Sequence, residues 1–166
     1  MIDLTHEPEL LGTLGSLRAN RAFFGSEEFL LAHADNYCQF DWQQFMVKHN
    51  SRPEECVLTM ALFETDTPQS CGMVRLNEHL VVDTYVEKPE IWDGKLANGA
   101  VTLCDQRIWD TIDETSGDKN DFCKDVLPAL TGAMLGYKVD GLLKDIGNID
   151  ALTEVRRLVE REVLAV

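Results

Sequence analysis

Hydrophobic positions fall mostly into short runs bounded by polar turns, and helical spacing is confined to a few stretches. The first clear run, residues 29–34 (Phe-Leu-Leu-Ala-His-Ala), lies between Glu27-Glu28 and Asp35-Asn36 and predicts a buried strand. A helix follows. Asp41 is placed to cap it, Gln44 stands at the capping-box position, and Phe40 and Phe45 have the spacing of a hydrophobic staple. Asp35 therefore closes the strand of a strand–turn–helix unit, at the carboxyl end where ligands gather in open α/β sheets.

Residues 56–63 (Cys-Val-Leu-Thr-Met-Ala-Leu-Phe) predict a second buried strand. Beyond the polar turn 64–71, the stretches 72–76, 80–87 and 97–104 predict strands and hairpins, separated by Asn77-Glu78 and Asp93-Gly94. Ile108, Trp109 and Ile112 share a face of a helix that starts after Asp105 and stops near Gly117. Residues 122–130 predict another short helix, kinked or ended at Pro128. Residues 134–139 and 142–146 are again strand-like. Ile149, Leu152, Val155, Val159 and Val163 mark an amphipathic closing helix over 149–164. The first 28 residues hold no convincing strand, and 11–18 read as a Gly-containing loop entering a helix. The fold class is α/β with a mixed sheet. No repeat, low-complexity tract or linker interrupts it, so a single domain over 1–166 is expected.

Composition sharpens this. A hydrophobic content of 45% and a charged content of 27% belong to a folded globular chain. A formal net charge of −14 argues against a nucleic-acid partner or an anionic membrane surface, both of which need Lys and Arg patches. A polyanionic small substrate would need a metal ion and a few placed cations to overcome that field. Five cysteines, no two closer than 15 residues, fit neither a zinc ribbon nor a CxxC pair, so reduced thiols and a cytoplasmic location are expected. No apolar run approaches the roughly 18 residues of a membrane span.

Seven segments in collinear order resemble the sugar-phosphate nucleotidyltransferases, especially the mannose-1-phosphate guanylyltransferase-like branch. They are Glu9-Leu10-Leu11-Gly12-Thr13, Ala34-Asp35-Asn36, Ser70-Cys71-Gly72-Met73-Val74, Glu87-Lys88-Pro89, Ala97-Asn98-Gly99-Ala100-Val101, Asp121-Phe122 through Val126-Leu127-Pro128, and Asp145-Ile146-Gly147. The resemblance implies a Rossmann-like α/β domain that joins a nucleoside triphosphate to a sugar 1-phosphate and releases pyrophosphate. It implies Mg²⁺ held by Asp35 and Asp145, sugar hydroxyls bound by Glu87 and Asn98, and the sugar phosphate met by Lys88. Gly12 would lie beside the nucleotide base, and Gly72 and Gly99 would let backbone approach the sugar. Asp35, Lys88 and Asp145 would then carry the chemistry. Such groups suit the reaction: a hard cation offsets the repulsion of two phosphates, a lysine orients one of them, and no protein nucleophile is needed.

Two departures accompany the resemblance. The opening strand and the Gly-rich loop, whose Arg and backbone amides would cradle the triphosphate, are expected ahead of Met1 and do not appear in this sequence. Loss of even one transition-state donor costs about 10²–10³ in rate, so little or no turnover is expected of the chain alone. Ala34 also stands where many members have Gly. Plainer readings stand beside the functional ones. Asp35 and Asp145 can be turn residues, Glu87-Lys88-Pro89 an exposed strand end, and Gly12 to Gly15 a tight turn before a helix. His33 reads as a buried structural histidine, and Trp42, Trp92 and Trp109 as core or flank residues. The alternative functions are a noncatalytic sugar-phosphate-binding module and an interaction subunit, with homo-oligomerisation left open.

Overall fold

A computed structural model describes residues 4–115 and 117–163. Its centre is strand β3 (Leu58–Glu64), whose alternation sends Leu58, Met60 and Leu62 to one face and Ala61 to the other. β3 pairs antiparallel with the long β6 (Leu96–Cys104) and parallel with β7 (Met134–Lys138), which makes the sheet mixed. Around β6 stand β1 (Phe29–Ala32), paired along its second half, and the hairpin of β4 (Gly72–Leu76) and β5 (Val82–Glu87) at its start. A separate two-stranded ribbon joins β2 (Asn36–Phe40) to β8 (Gly141–Asp145).

Helices cover both faces. On one, α1 (Gly12–Ala19) contributes Leu14 and Leu17, and α4 (Ile108–Glu114) buries the predicted Ile108, Trp109 and Ile112. They meet Phe122, Val126, Leu127 and Leu130 in one apolar cluster; α2 (Arg21–Phe24) packs Phe24 at its edge. On the other, α3 (Trp42–Asn50) seats Phe45 against Ala61, Val101 and Leu143. Fully burying each such side chain contributes roughly 1.5–3 kcal/mol.

The predicted 122–130 helix is α5 (Phe122–Asp125) followed by a 3-10 turn, Leu127–Leu130, opened by Pro128. Glycines 12 and 15 belong to α1 itself rather than to a loop before it. β2 replaces the expected turn, because its ladder to β8 supplies hydrogen bonds that no local pattern announces. The closing helix is α6 (Ile149–Val163), with Val155 buried and Ile149 exposed; the side chain of Val163 and residue 164 lie outside the described residues. Trp109 is core, Trp42 stacks on Phe40 at 4.4 Å, and Trp92 lies under the Arg75 guanidinium. All five cysteines are free, and among the described residues no helix is long and apolar enough to cross a membrane.

A polar network around the buried His49 and Asp105 ties the entry to β1, the end of α3, β3 and the end of β6 together. His49 is 2% exposed, with Nδ1 2.8 Å from Thr59 Oγ1 and Nε2 3.3 Å from Glu28 Oε1, the latter without the alignment of a hydrogen bond. Arg52 donates to Glu28 and Asp105, and Arg107 donates to Asp105 and to the carbonyls of Glu54 and Cys56. Burial pushes the Asp105 carboxyl up, but the hydrogen bonds from Arg107 and Arg52 outweigh it and hold the group below its ordinary range.

Candidate active site

Asp35 sits in the turn between β1 and β2, and Asp145 ends β8. The β2–β8 register sets Asn36 opposite Asp145, and the Ile146 amide donates to the Asp35 carbonyl at 2.7 Å. Both carboxylates converge over Gly147: a Cβ there would lie 3.0 Å from Asp35 Oδ2 and 3.1 Å from Asp145 Oδ1. The Gly147 amide also donates to Asp145 Oδ1 at 2.7 Å. Two exposed carboxylates over an open glycine fit a hard divalent cation that takes its other ligands from substrate and water. Among the described residues no group of three or more His, Cys, Asp or Glu side chains is placed to enclose a metal.

Beside this pair is a cavity of about 170 Å³, in whose wall Gly72, Glu87, Lys88, Asn98, Gly99 and Asp145 all stand. β5 delivers Glu87 and Lys88 at its carboxyl end, and a bulge in β6 delivers Asn98 and Gly99. The bulge is visible in the ladder, where Met60 faces Thr102 while Leu62 faces Asn98. Ala100 adopts φ 51° there, its amide bound to Asn98 Oδ1 at 2.9 Å. Lys88 adopts φ 47°, and its amide donates to the Cys71 carbonyl at 2.9 Å. Left-handed backbone costs an ordinary residue about 1–2 kcal/mol, and here the surrounding ladder holds two such residues at the rim of one cavity. The Lys88 ammonium is exposed and makes no side-chain hydrogen bond or ion pair among the described residues.

The glycines have packing reasons of their own. A Cβ on Gly72 would lie 2.7 Å from Glu87 Oε2, in the space where the Tyr85 hydroxyl meets that carboxylate. A Cβ on Gly99 would lie 2.6 Å from Leu143 Cδ1 and 2.9 Å from the Ala61 carbonyl oxygen. Gly12 stands apart from the cavity. It opens α1 with φ 71° against the Asn120 carbonyl, and lines a neighbouring groove of about 490 Å³ formed with Leu31, Ala32 and Phe122. His33, expected to be buried, is exposed and stands in the wall of both spaces. The β1 ladder ends at Ala32 opposite Val101, where the bulge begins, so His33 is left at the cavity mouth, its amide donating to the Ala100 carbonyl and its own carbonyl accepting from the Asn36 amide.

Sequence reasoning missed four contributors. Gly147 was legible only as part of a turn, Asn36 is fixed by donation to the Gly99 carbonyl at 3.0 Å, Tyr85 was no more than a member of the predicted 80–87 strand, and Cys123 no more than one of five expected thiols. Burial pushes the Cys123 thiol up to about 12, with the nearby Glu87 and Asp121 charges adding to the rise, so it is neutral at physiological pH.

A mixed α/β sheet that sets paired carboxylates, a lysine and a cavity at its strand ends is of the Rossmann-like kind. Comparison with known proteins narrows the class. The Nucleotidyl transferase family matches residues 1–162. Glucose-1-phosphate adenylyltransferase of Clostridium beijerinckii is 25% identical over 163 residues, covering 91% of this chain and 42% of the relative. The catalytic subunit beta of mannose-1-phosphate guanylyltransferase from Drosophila melanogaster is 27% identical over 149 residues, covering 86% of this chain and 38% of the relative. Among solved structures, a Bacillus anthracis protein in complex with a sucrose superposes with a TM-score of 0.76 at 17% identity, over 89% of this chain and 60% of that one. HddC from Yersinia pseudotuberculosis, complexed with GMP-PN, gives 0.70 at 24% identity, over 92% and 64%. The chain belongs to the sugar-phosphate nucleotidyltransferase family and has its α/β fold. It spans about two fifths of the length of these curated relatives.

Proposed function

We propose that this chain builds the sugar-phosphate and metal side of a site that transfers a nucleotidyl group from a nucleoside triphosphate to a sugar 1-phosphate, giving a nucleotide sugar and pyrophosphate. The observation that carries the reading is the convergence of Asp35 and Asp145 over Gly147, beside a cavity that gathers Glu87, Lys88 and Asn98. In the reaction a sugar-phosphate oxygen attacks the α-phosphorus, and the bond from that phosphorus to the leaving pyrophosphate breaks. Lys88, as a mobile point charge, orients the attacking phosphate. Glu87 and Asn98 hold sugar hydroxyls and so fix the distance of approach. Asp35 and Asp145 would hold Mg²⁺, which supplies charge neutralisation between the two phosphates. The base would lie in the groove beside Gly12, which shares His33 with the cavity. Catalysis of this kind rests on positioning and electrostatics, which matches a site without a protein nucleophile.

Calorimetry with glucose 1-phosphate and mannose 1-phosphate, with and without Mg²⁺, tests the reading. Binding strengthened by Mg²⁺ in the wild type, and not in Asp35→Asn or Asp145→Asn, is the expected result. Identical Mg²⁺ dependence in both variants removes the metal assignment. Pyrophosphate release on adding a nucleoside triphosphate would establish turnover and exclude the noncatalytic binding module, which binds sugar phosphate without it.

A further inference from the structure

Tyr85 is 6% exposed, and its hydroxyl reaches a carboxylate of the cavity, donating to Glu87 Oε2 at 2.6 Å. The two residues are two apart on β5 and so share a face, and Gly72 pairs directly opposite Glu87. The missing Cβ of Gly72 opens the gap in which the bond forms. Burial, with the adjacent Cys123 and Glu87, pushes the Tyr85 phenol well above its ordinary range, which keeps it a hydrogen-bond donor. Asn98 is pinned in the same way: its Oδ1 accepts from the Ala100 amide at 2.9 Å and one amide hydrogen points to Cys123 Sγ at 3.8 Å.

The Asn98 amide also faces the Tyr85 phenol oxygen, so these commitments leave one acceptor oxygen on Glu87 for the cavity that Glu87 and Asn98 both line. We propose that Tyr85 is a positioning residue for sugar recognition: by holding one oxygen of Glu87 it fixes the direction in which the other is presented to the cavity, as an acceptor for a sugar hydroxyl. This rests on the sugar-phosphate reading of the cavity and adds to it a specificity device outside the cavity wall. With a phenylalanine at position 85 the carboxylate can rotate, and its orientation must be fixed at the expense of binding.

The test is calorimetric titration of the full chain with glucose 1-phosphate, mannose 1-phosphate and their monodeoxy analogues. Tyr85→Phe is expected to weaken binding of the better sugar phosphate about 10-fold, the worth of one hydrogen bond to a charged group. The same change in a Glu87→Gln background is expected to cost less than about 2-fold, because the two residues act as one unit. Discrimination against the deoxy analogue should shrink with it, which a merely structural loss would not produce. Gly72→Ala, which crowds the same hydrogen bond while Tyr85 stays intact, should reproduce the loss without adding to that of Tyr85→Phe. Equal weakening in both backgrounds, or unchanged binding in Tyr85→Phe while Lys88→Ala still weakens the wild-type affinity, overturns this inference and leaves the cavity assignment standing. Failure of the wild type to bind either sugar phosphate overturns the cavity assignment itself.

Discussion

Lys88 shows function set against conformation in one residue. Its φ of 47° is costly for a lysine and natural for asparagine, and its ammonium has no partner that the fold requires. Lys88→Asn is therefore expected to keep or raise the urea midpoint while weakening sugar 1-phosphate binding about 10-fold, the reverse of what a structural residue would show. Gly99 is the opposite case. An added methyl would press on Leu143 and on the Ala61 backbone, so Gly99→Ala should lower stability by about 1–3 kcal/mol in urea unfolding. Gly147→Ala meets the two carboxylates first, and should leave that midpoint nearly unchanged while blunting the Mg²⁺ dependence of ligand binding. Glu87 and Lys88 were legible in the sequence as a charged strand end, and Asn98 only through the family resemblance, within the strand predicted over 97–104. Tyr85 was not, since an aromatic residue in a strand reads as core until its hydroxyl is seen to find a partner.

At the scale of elements, α3 is the clearest case of local information. Asp41 Oδ1 accepts from the amides of Gln43 and Gln44 at 2.9 and 3.0 Å, and Gln44 Nε2 returns to Asp41 Oδ2 at 3.0 Å. Phe40 and Phe45 meet edge to face at 5.8 Å, as the staple requires. Asp41→Ala should cost about 1 kcal/mol, measured by urea unfolding. All of these partners lie within a few residues of each other, which is why they could be read in advance. β2 is the counter-case, because its five residues carry no alternation and its pairing partner, β8, comes from the far end of the chain. The 97–104 strand was legible, yet its bulge was not, since the irregularity exists only in the register against β3.

Over the whole molecule, the buried network at the base of the sheet predicts a pH response. Burial and the Arg52 charge lower the His49 pKa below its ordinary 6.5, against the opposing pull of Glu28. The unfolded chain therefore binds the proton more readily than the folded one as pH falls below about 6.5. Stability present at neutral pH should decline through that window, and His49→Gln should flatten the slope when urea midpoints at pH 7.5 and 5.5 are compared. Asp105, held low, contributes its own loss only at more acid pH, as its carboxylate protonates. By itself the sequence determined the α/β alternation, the capped helix α3, the placement of Asp35 and Asp145 at strand ends, and the charged Glu87-Lys88 step, because each follows from periodicity and turn chemistry over a few residues. Only the tertiary structure decided that Asp145 meets Asp35 over Gly147, that a bulge sets Asn98 in the same cavity wall as Glu87, and that Gly72 makes room for the Tyr85 hydroxyl. Those are relations between distant segments, and sheet register, which local composition does not encode, is what brings them together.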